Sequence, residues 1–296
     1  MIENKRTISF NEGLHQYTDE YSKIYTSVTT VIKNYHEQFD ENFWAKKTAK
    51  KTGLTTSIVK QNWKEIRETS GIKGTKEHKL LEDSINDSRG YKPNELKLFG
   101  MQKVDGKIDL FALAKSPLGI KYPKIFEDIK RFIEDGYTVY VEKRIYWAEF
   151  LIAGTIDCLL IKGRKFWIFD WKTNKDELKF EAGYYKKING IKTTQWIKLN
   201  KYFYHPLTML PDCKGMIYTM QLSLYAYLLE LWGYECEGLA LYHIREIPTS
   251  FDIKEIILKV YNIVYQKQAC QLLTIDHKNR LINNISNNRD TRFGIS

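Results

Sequence analysis

The stretch that most constrains this chain is residues 151–172, LIAGTIDCLLIKGRKFWIFDWK. Two apolar, β-branched and aromatic runs flank a Gly163-Arg164 pair, which suits a two-residue type II′ turn. That turn pairs Lys162 with Lys165, and counting back along both strands sets Asp157 directly opposite Asp170. Facing side chains on one side of a hairpin lie about 5 Å apart. Lys172, two residues beyond Asp170, points to the same face. Two carboxylates and an ammonium are thereby gathered within strands that are otherwise apolar, whereas a solvent-facing strand would be polar at every second position. Neighbouring carboxylates repel unless something neutralises them, and a divalent cation with oxygen ligands does this well. Lys172 is then placed to position or deprotonate a water, or to offset charge on a phosphate oxygen. The competing reading is a buried ion cluster of two aspartates and a lysine with no chemical role.

The 296 residues allow one large domain or two small ones with ample core. The charge balance, 46 − 36 = +10, favours a polyanionic partner. Cys158, Cys213, Cys236 and Cys270 stand singly, with no C-x-x-C spacing, so neither a zinc knuckle nor an iron–sulfur cluster is indicated. No apolar signal core follows the first residues, and no run approaches a membrane-spanning length. A reduced, cytoplasmic protein without a membrane partner is the expectation.

Residues 7–32 alternate like strands, with Ser27 a candidate N-cap for the helix that follows. Residues 41–86 read as helix broken at Gly53 and Gly71, and Thr75 is a candidate cap for a further helix. Between positions 42 and 80, ten Lys or Arg face three Glu, an excess of seven positive charges. Lys46, Lys47, Lys50 and Lys51 recur at helical spacing, with Lys73 and Lys76 further on. Such a run is either a solvated face or a phosphate-binding surface. His78, Leu81 and Ile85 share one helical stripe, so His78 points inward. Residues 125–134 read as an amphipathic helix and 137–147 as a strand with Tyr140, Glu142 and Arg144 on one face, which makes an antiparallel meander with the hairpin. Residues 176–215 form a long insertion in which lysines interleave with Phe180, Tyr184, Tyr185, Trp196, Tyr202, Phe203 and Tyr204. Those aromatics suit either stacking on unpaired bases or packing of a small satellite core. Residues 216–231 read as a buried helix carrying Gln221 and Tyr225 at i, i+4. Residues 239–244 read as a strand, 253–273 as an amphipathic helix, and 276–296 as a polar tail.

Taken together, His78, Glu142, Gly154-Thr155-Ile156-Asp157, Asp170-Trp171-Lys172 and Gln221-x-x-x-Tyr225 resemble the PD-(D/E)XK nuclease superfamily, and within it the RecB-type and phage-like exonucleases. The resemblance spans roughly residues 26–246. It implies an α/β fold with a restriction-endonuclease-like core, a central mixed β-sheet flanked by helices, and an N-terminal helical region. On this reading one domain covers 1–275, with a DNA-guiding helical part over about 26–135, a catalytic core over about 136–275 and the insertion at 176–215. The resemblance implies that Mg²⁺ or Mn²⁺ is held by His78, Asp157, Asp170 and the carbonyl of Trp171. Glu142 becomes the first-motif acid, Lys172 orients or activates water, and Gln221 and Tyr225 orient the site or substrate. The third-motif acid is Asp170 where Glu is common. The cysteines cannot build the four-cysteine cluster of some relatives, and no Walker-type motif is present. The implied activity is a metal-dependent deoxyribonuclease, most simply an exonuclease acting on DNA ends or single strands in replication, recombination or repair, with a partner protein from one of those processes and, if phage-encoded, in the host cytoplasm. The alternatives are an endonuclease of the same fold, in recombination, packaging or defence, and a non-catalytic nucleic-acid-binding protein that keeps the fold.

Overall fold

The computed structural model of the chain describes residues 6–14, 16–89, 107–188, 191–248 and 254–290. Three short strands open it, β1 (Ile8–Asn11), β2 (Gln16–Asp19) and β3 (Ile24–Ser27). Helices α1 (Val28–Lys33), α2 (Glu41–Thr52), α3 (Thr56–Asp87), α4 (Leu110–Lys115), α5 (Pro117–Lys121) and α6 (Pro123–Glu134) follow. Next come β4 (Thr138–Trp147), β5 (Ile152–Lys162), β6 (Lys165–Lys172), a separate hairpin of β7 (Gly183–Ile188) and β8 (Ile191–Lys198), and α7 (Lys214–Leu231). The chain then forms β9 (Glu235–Pro248), β10 (Lys254–Ile263) and α8 (Lys267–Asp290).

The central sheet is mixed. β4, β5 and β6 form the antiparallel meander, β6 runs parallel to β9, and β3 runs parallel to β5. Lys162 pairs with Lys165, and Gly163 sits at φ +61, as the first position of a type II′ turn requires. Sheet residues alternate between two cores. On one face α1, α7 and α8 pack over Ile168, Leu239 and Leu241. On the other, α3 to α6 pack over Phe169, Ala240 and Tyr242. The result is an α/β fold with a large mixed sheet flanked by helices, compatible with a restriction-endonuclease-like core.

Several local expectations change. α3 is continuous over 32 residues, through both Gly71 and Gly74. An interior glycine costs a helix only about 1 kcal/mol, and at Gly74 the missing side chain has a use: a Cβ there would lie 3.2 Å from Thr173 Oγ1, at the end of β6. Thr75 is therefore mid-helix and caps nothing. Residues 254–263 are a strand, because Ile256, Leu258 and Val260 alternate onto the α3 side while the backbone pairs with β9 over ten residues. The final helix begins only at Lys267 and runs to Asp290, past the point where a polar tail was expected. Ser27 does cap α1, accepting from the Thr30 amide.

The feature that positions the site is a fork in the sheet. β4 covers one edge of β5 along most of its length, so β3 and β6 share the other. β3 pairs with Ile152 and Ala153, and β6 pairs with Cys158 to Lys162. Gly154-Thr155-Ile156-Asp157 fills the gap between them. A Cβ on Gly154 would come within 2.5 Å of Tyr225 Cε1 and 3.2 Å of Val28 Cγ2. Gly154→Ala should therefore cost about 1–3 kcal/mol and lower the melting midpoint by several degrees. A melting curve identical to that of the wild type would show that this contact is not made.

Candidate metal and active site

Asp157 is held where the strands part. The β5–β6 ladder ends at Cys158–Phe169, one pair short of the two aspartates. Beyond it the Trp171 amide donates to Asp157 Oδ2 at 2.9 Å, so a side chain replaces the missing backbone partner. The expected face-to-face pair of Asp157 and Asp170 thus gives way to a different neighbour. Across β4–β5, Val141–Cys158 and Lys143–Ile156 bracket Glu142 and Asp157, which face each other at a position that the ladder skips. Glu142 is in the left-handed region at φ +48, uncommon for a non-glycine residue. Core packing shows the consequence: Val141 and Cys158 pack on the α3 side, whereas Ile145 and Ile156 pack on the α7 side. Regular alternation would put all four on one face. The twist at Glu142 reverses the strand faces and brings its carboxylate to Asp157 and to His78 on α3. One ligand atom from each of these three residues lies within 4.8 Å of the others.

His78 joins the parts. Its Nδ1 is 3.6 Å from Asp157 Oδ2. Its Nε2 donates to the Trp171 carbonyl at 3.1 Å. Two of the groups expected to hold a metal are thus satisfied in this structure by a protonated imidazole. Burial disfavours that charge, but Asp157 outweighs burial and raises the His78 pKa to about 9. Burial, then the negative charge of Asp157, push Glu142 up to about 8. Asp157 itself is held below the usual carboxylate range, because His78 and Lys172 overcome its burial.

Asp170 sits on the α7 side, fully buried, with Lys172 Nζ 2.6 Å from its Oδ2. Neither Asp170 oxygen receives a well-formed hydrogen bond, which leaves acceptor capacity facing the ammonium. Burial pushes Asp170 up to about 6 against the opposing pull of Lys172. The Lys172 pKa is raised despite burial, by Asp170 and Asp157, so the side chain carries its proton. From α7, Gln221 Nε2 donates to Tyr225 Oη at 3.1 Å, which satisfies part of its amide. The sequence reading missed Tyr218. Its ring lies 4.9 Å from Lys172 Nζ and its hydroxyl donates to Asn174 Oδ1 at 2.8 Å. Tyr218, Gln221 and Tyr225 fall at i, i+3 and i+7, so the helical stripe already held the signal.

The clustered donors suit a divalent cation: the carboxylates of Glu142 and Asp157 and the imidazole of His78, with the Trp171 carbonyl beside that ring. A pH dependence follows. The raised carboxyls of Glu142 and Asp170 favour the folded state while protonated, so that contribution fades as pH climbs from their unfolded values toward about 8 and about 6. The contribution of His78 is complete below its unfolded pKa and is lost as pH passes about 9. All three act in one direction. Burial lowers the pKa of His243 and His277, which act the other way only up to their unfolded range near pH 6.5. In chelator the melting midpoint should therefore fall between pH 7 and pH 9. One pKa unit is about 1.4 kcal/mol, and each kcal/mol about 2–4 °C for chains of 150–250 residues. Mn²⁺ should flatten the curve. A midpoint that rises over that range in chelator would contradict this electrostatic account.

The basic residues divide by position. Lys46, Lys47, Lys50 and Lys51 are exposed on α2, where Lys47 covers the Trp44 ring at 4.8 Å. α2 lies along the first half of α3, through Arg67–Glu41 at 2.9 Å and a Lys60–Asn42 hydrogen bond. With a helical rise of about 1.5 Å per residue, the end of α2 that bears Lys50 and Lys51 lies roughly 30 Å from His78 along the α3 axis. Lys73 is one to two turns from His78 and pairs with Glu246 at 2.9 Å, and Lys76 is exposed. All four cysteines are free, with Cys158 and Cys270 in the cores on opposite faces of the sheet. Among the described residues, no helix is long and apolar enough to cross a membrane.

No family model matches the sequence, and no curated protein matches it. Among solved structures, one match is a crystal structure from Eubacterium rectale named "Putative exonuclease", 10% identical, covering 68% of this chain and 65% of that one, with a TM-score of 0.32. Another is the protein SSO0001, 15% identical, covering 57% of this chain and 63% of that one, with a TM-score of 0.23. The chain thus spans less than two thirds of the length of either neighbour. Overlap this loose assigns no activity, and the α/β architecture stands on the chain's own topology.

Proposed function

We propose that this chain is a metal-dependent nuclease that hydrolyses phosphodiesters of DNA, acting at ends or on single strands. The observation that carries the reading is the convergence of His78, Glu142 and Asp157 beside a fully buried Asp170–Lys172 pair at the sheet fork. An inert ion cluster has no use for a left-handed glutamate that draws a third carboxylate toward two others. It also has no use for a buried Asp170 Oδ1 left without a partner while Oδ2 meets the ammonium at 2.6 Å.

In this reading Asp157, Glu142, Asp170, His78 and the Trp171 carbonyl hold the ion. A divalent cation supplies positive charge to offset the phosphoryl oxygens and lowers the pKa of a water. His78 must give up its proton for its ring to serve as a ligand, which releases its hold on Asp157 and Trp171. Lys172 keeps its proton in this electrostatic setting, so its ammonium holds the attacking water or stabilises charge that develops on the phosphate. Asp170 fixes that ammonium, and the Tyr218 ring covers its other side. Gln221 donates to Tyr225, whose ring packs on Gly154 and orients the β5 segment before Asp157.

End-labelled single- and double-stranded DNA, linear and circular, incubated with and without Mg²⁺ or Mn²⁺, tests the proposal. Nucleotides shed from linear ends, with circles intact and no product in chelator, are expected. Discrete cuts in circles would move the assignment to an endonuclease. Absence of both metal binding and cleavage would end the nuclease reading.

A further inference from the structure

The β7–β8 hairpin encloses, with α3 and the N-terminus of α7, a cleft of about 1200 Å³ that begins at Thr173 and Asn174, the residues immediately after Lys172. We infer that this cleft takes a single strand of nucleic acid and leads it to the fork, with unpaired bases stacked on the hairpin aromatics and phosphates held by Lys175, Lys187 and Lys214. The inference rests on the nuclease reading only for what happens at the fork, since binding in the cleft is a separate property.

Charge matching supports an anionic occupant. Every acidic residue of the wall is already neutralised by a lysine: Asp176 by Lys192, Glu177 by Lys259, Glu181 by Lys198, Asp212 by Lys201 and Glu246 by Lys73. Lys175, Lys187 and Lys214 also line the cleft and form no ion pair among the described residues. Three uncompensated cations therefore remain in a cavity that is larger than the about 300–1,000 Å³ of ordinary small-ligand pockets. The aromatic wall supports unpaired bases. Tyr184 is 53% exposed on the lining. Tyr185 and Trp196 pack on each other edge to face at 4.9 Å and also line the cleft, and Trp196 packs so closely that Gly183 has no room for a Cβ. A free aromatic face between lysines stacks on a splayed base, and a duplex keeps its base faces to itself. Two other aromatics of the insertion are structural: Phe203 is buried in the core, and Phe180 packs on Tyr261. Lys175 and Lys187 line a cleft that begins at Thr173, the residue after Lys172, whereas the end of α2 lies roughly 30 Å from His78, so this route replaces the α2 face as the main path.

Fluorescence anisotropy on the full chain, without metal, tests the route with three probes: labelled dT20, rU20 and a 20-base-pair blunt duplex. The wild type should bind a single-stranded probe more tightly than the duplex, and the two single strands tell DNA from RNA. Tyr184→Ala, at an exposed position, should weaken single-strand binding about 5- to 100-fold, and Tyr184→Phe should restore it. Lys175→Gln with Lys187→Gln should reduce the slope of log affinity against log salt by about 1.4, at about 0.7 per phosphate contact. Equal or tighter duplex binding, or unchanged affinity and slope in these variants, would overturn the inference. Cleavage is read separately with Mn²⁺. A protein that binds dT20 through these residues and never cuts would sink the nuclease reading and keep the cleft. A protein that cuts while the variants bind like the wild type would sink the cleft alone.

Discussion

Asp157→Asn should lower the rate of DNA cleavage by about 10³-fold or more, the several kcal/mol expected when a metal loses a charged ligand, while the chain stays folded. The fold survives because asparagine has the same shape and its carbonyl oxygen still accepts from the Trp171 amide, the 2.9 Å bond that ties β5 to β6 past the end of their ladder. The ion pair with His78 is lost, but so is the repulsion of Glu142, and the two changes oppose each other. What should disappear is stabilisation by metal. For the wild type, free Mn²⁺ at a hundredfold excess over its Kd adds about 2.7 kcal/mol, or roughly 5–10 °C. Melting curves with and without Mn²⁺, beside single-turnover cleavage, would check both halves. An Asp157→Asn protein that still cuts at a tenth of the wild-type rate would remove Asp157 from the site.

Lys172→Ala should lower cleavage about 10²–10⁴-fold and keep metal binding, because an ammonium is not a ligand. It should also destabilise the metal-free protein. Asp170 is fully buried and Lys172 is its one ion-pair partner among the described residues. Breaking a buried pair by removing one member costs about 3–5 kcal/mol. Two conditions should relieve that cost. At pH 5 the orphaned carboxyl, already pushed up to about 6 beside Lys172, is protonated and neutral. At pH 7.5 added Mn²⁺ supplies the missing positive charge. An inert ion cluster predicts the acid rescue without the metal rescue, so the comparison in Mn²⁺ separates the two accounts.

The sequence carried the hairpin, because Gly163-Arg164 fixes a turn and a turn fixes a register. It carried the cap at Ser27 and the buried helix that bears Gln221 and Tyr225, since each rests on local chemistry or on a period that short windows reveal. The counting failed one pair before Asp157 met Asp170, for a reason no local rule contains. β3, more than a hundred residues earlier, takes the same edge of β5, and the strands must part to admit it. The left-handed turn of Glu142 is equally silent, because glutamate has no preference for that region and tertiary packing alone holds it there. Gly71 read as a break and Thr75 as the cap of a new helix because glycine usually weakens a helix, yet Gly74 is a place where strand and helix approach closely. Segment 254–263 read as helix because strand partnership with β9 decides it more than local propensity does.

The fork formed by Asp157, Glu142, His78, Asp170 and Trp171 is the proposed site for a divalent cation. Calorimetric titration of the metal-free chain with Mn²⁺ at pH 7.5 tests it most directly, with Asp157→Asn and Lys172→Ala titrated alongside. Stoichiometric, saturable binding by the wild type and Lys172→Ala, with proton release as His78 and Glu142 give up theirs, and loss of binding in Asp157→Asn, is the predicted result. A wild type that takes up no Mn²⁺, or an Asp157→Asn protein that binds it as tightly as the wild type, would contradict the account.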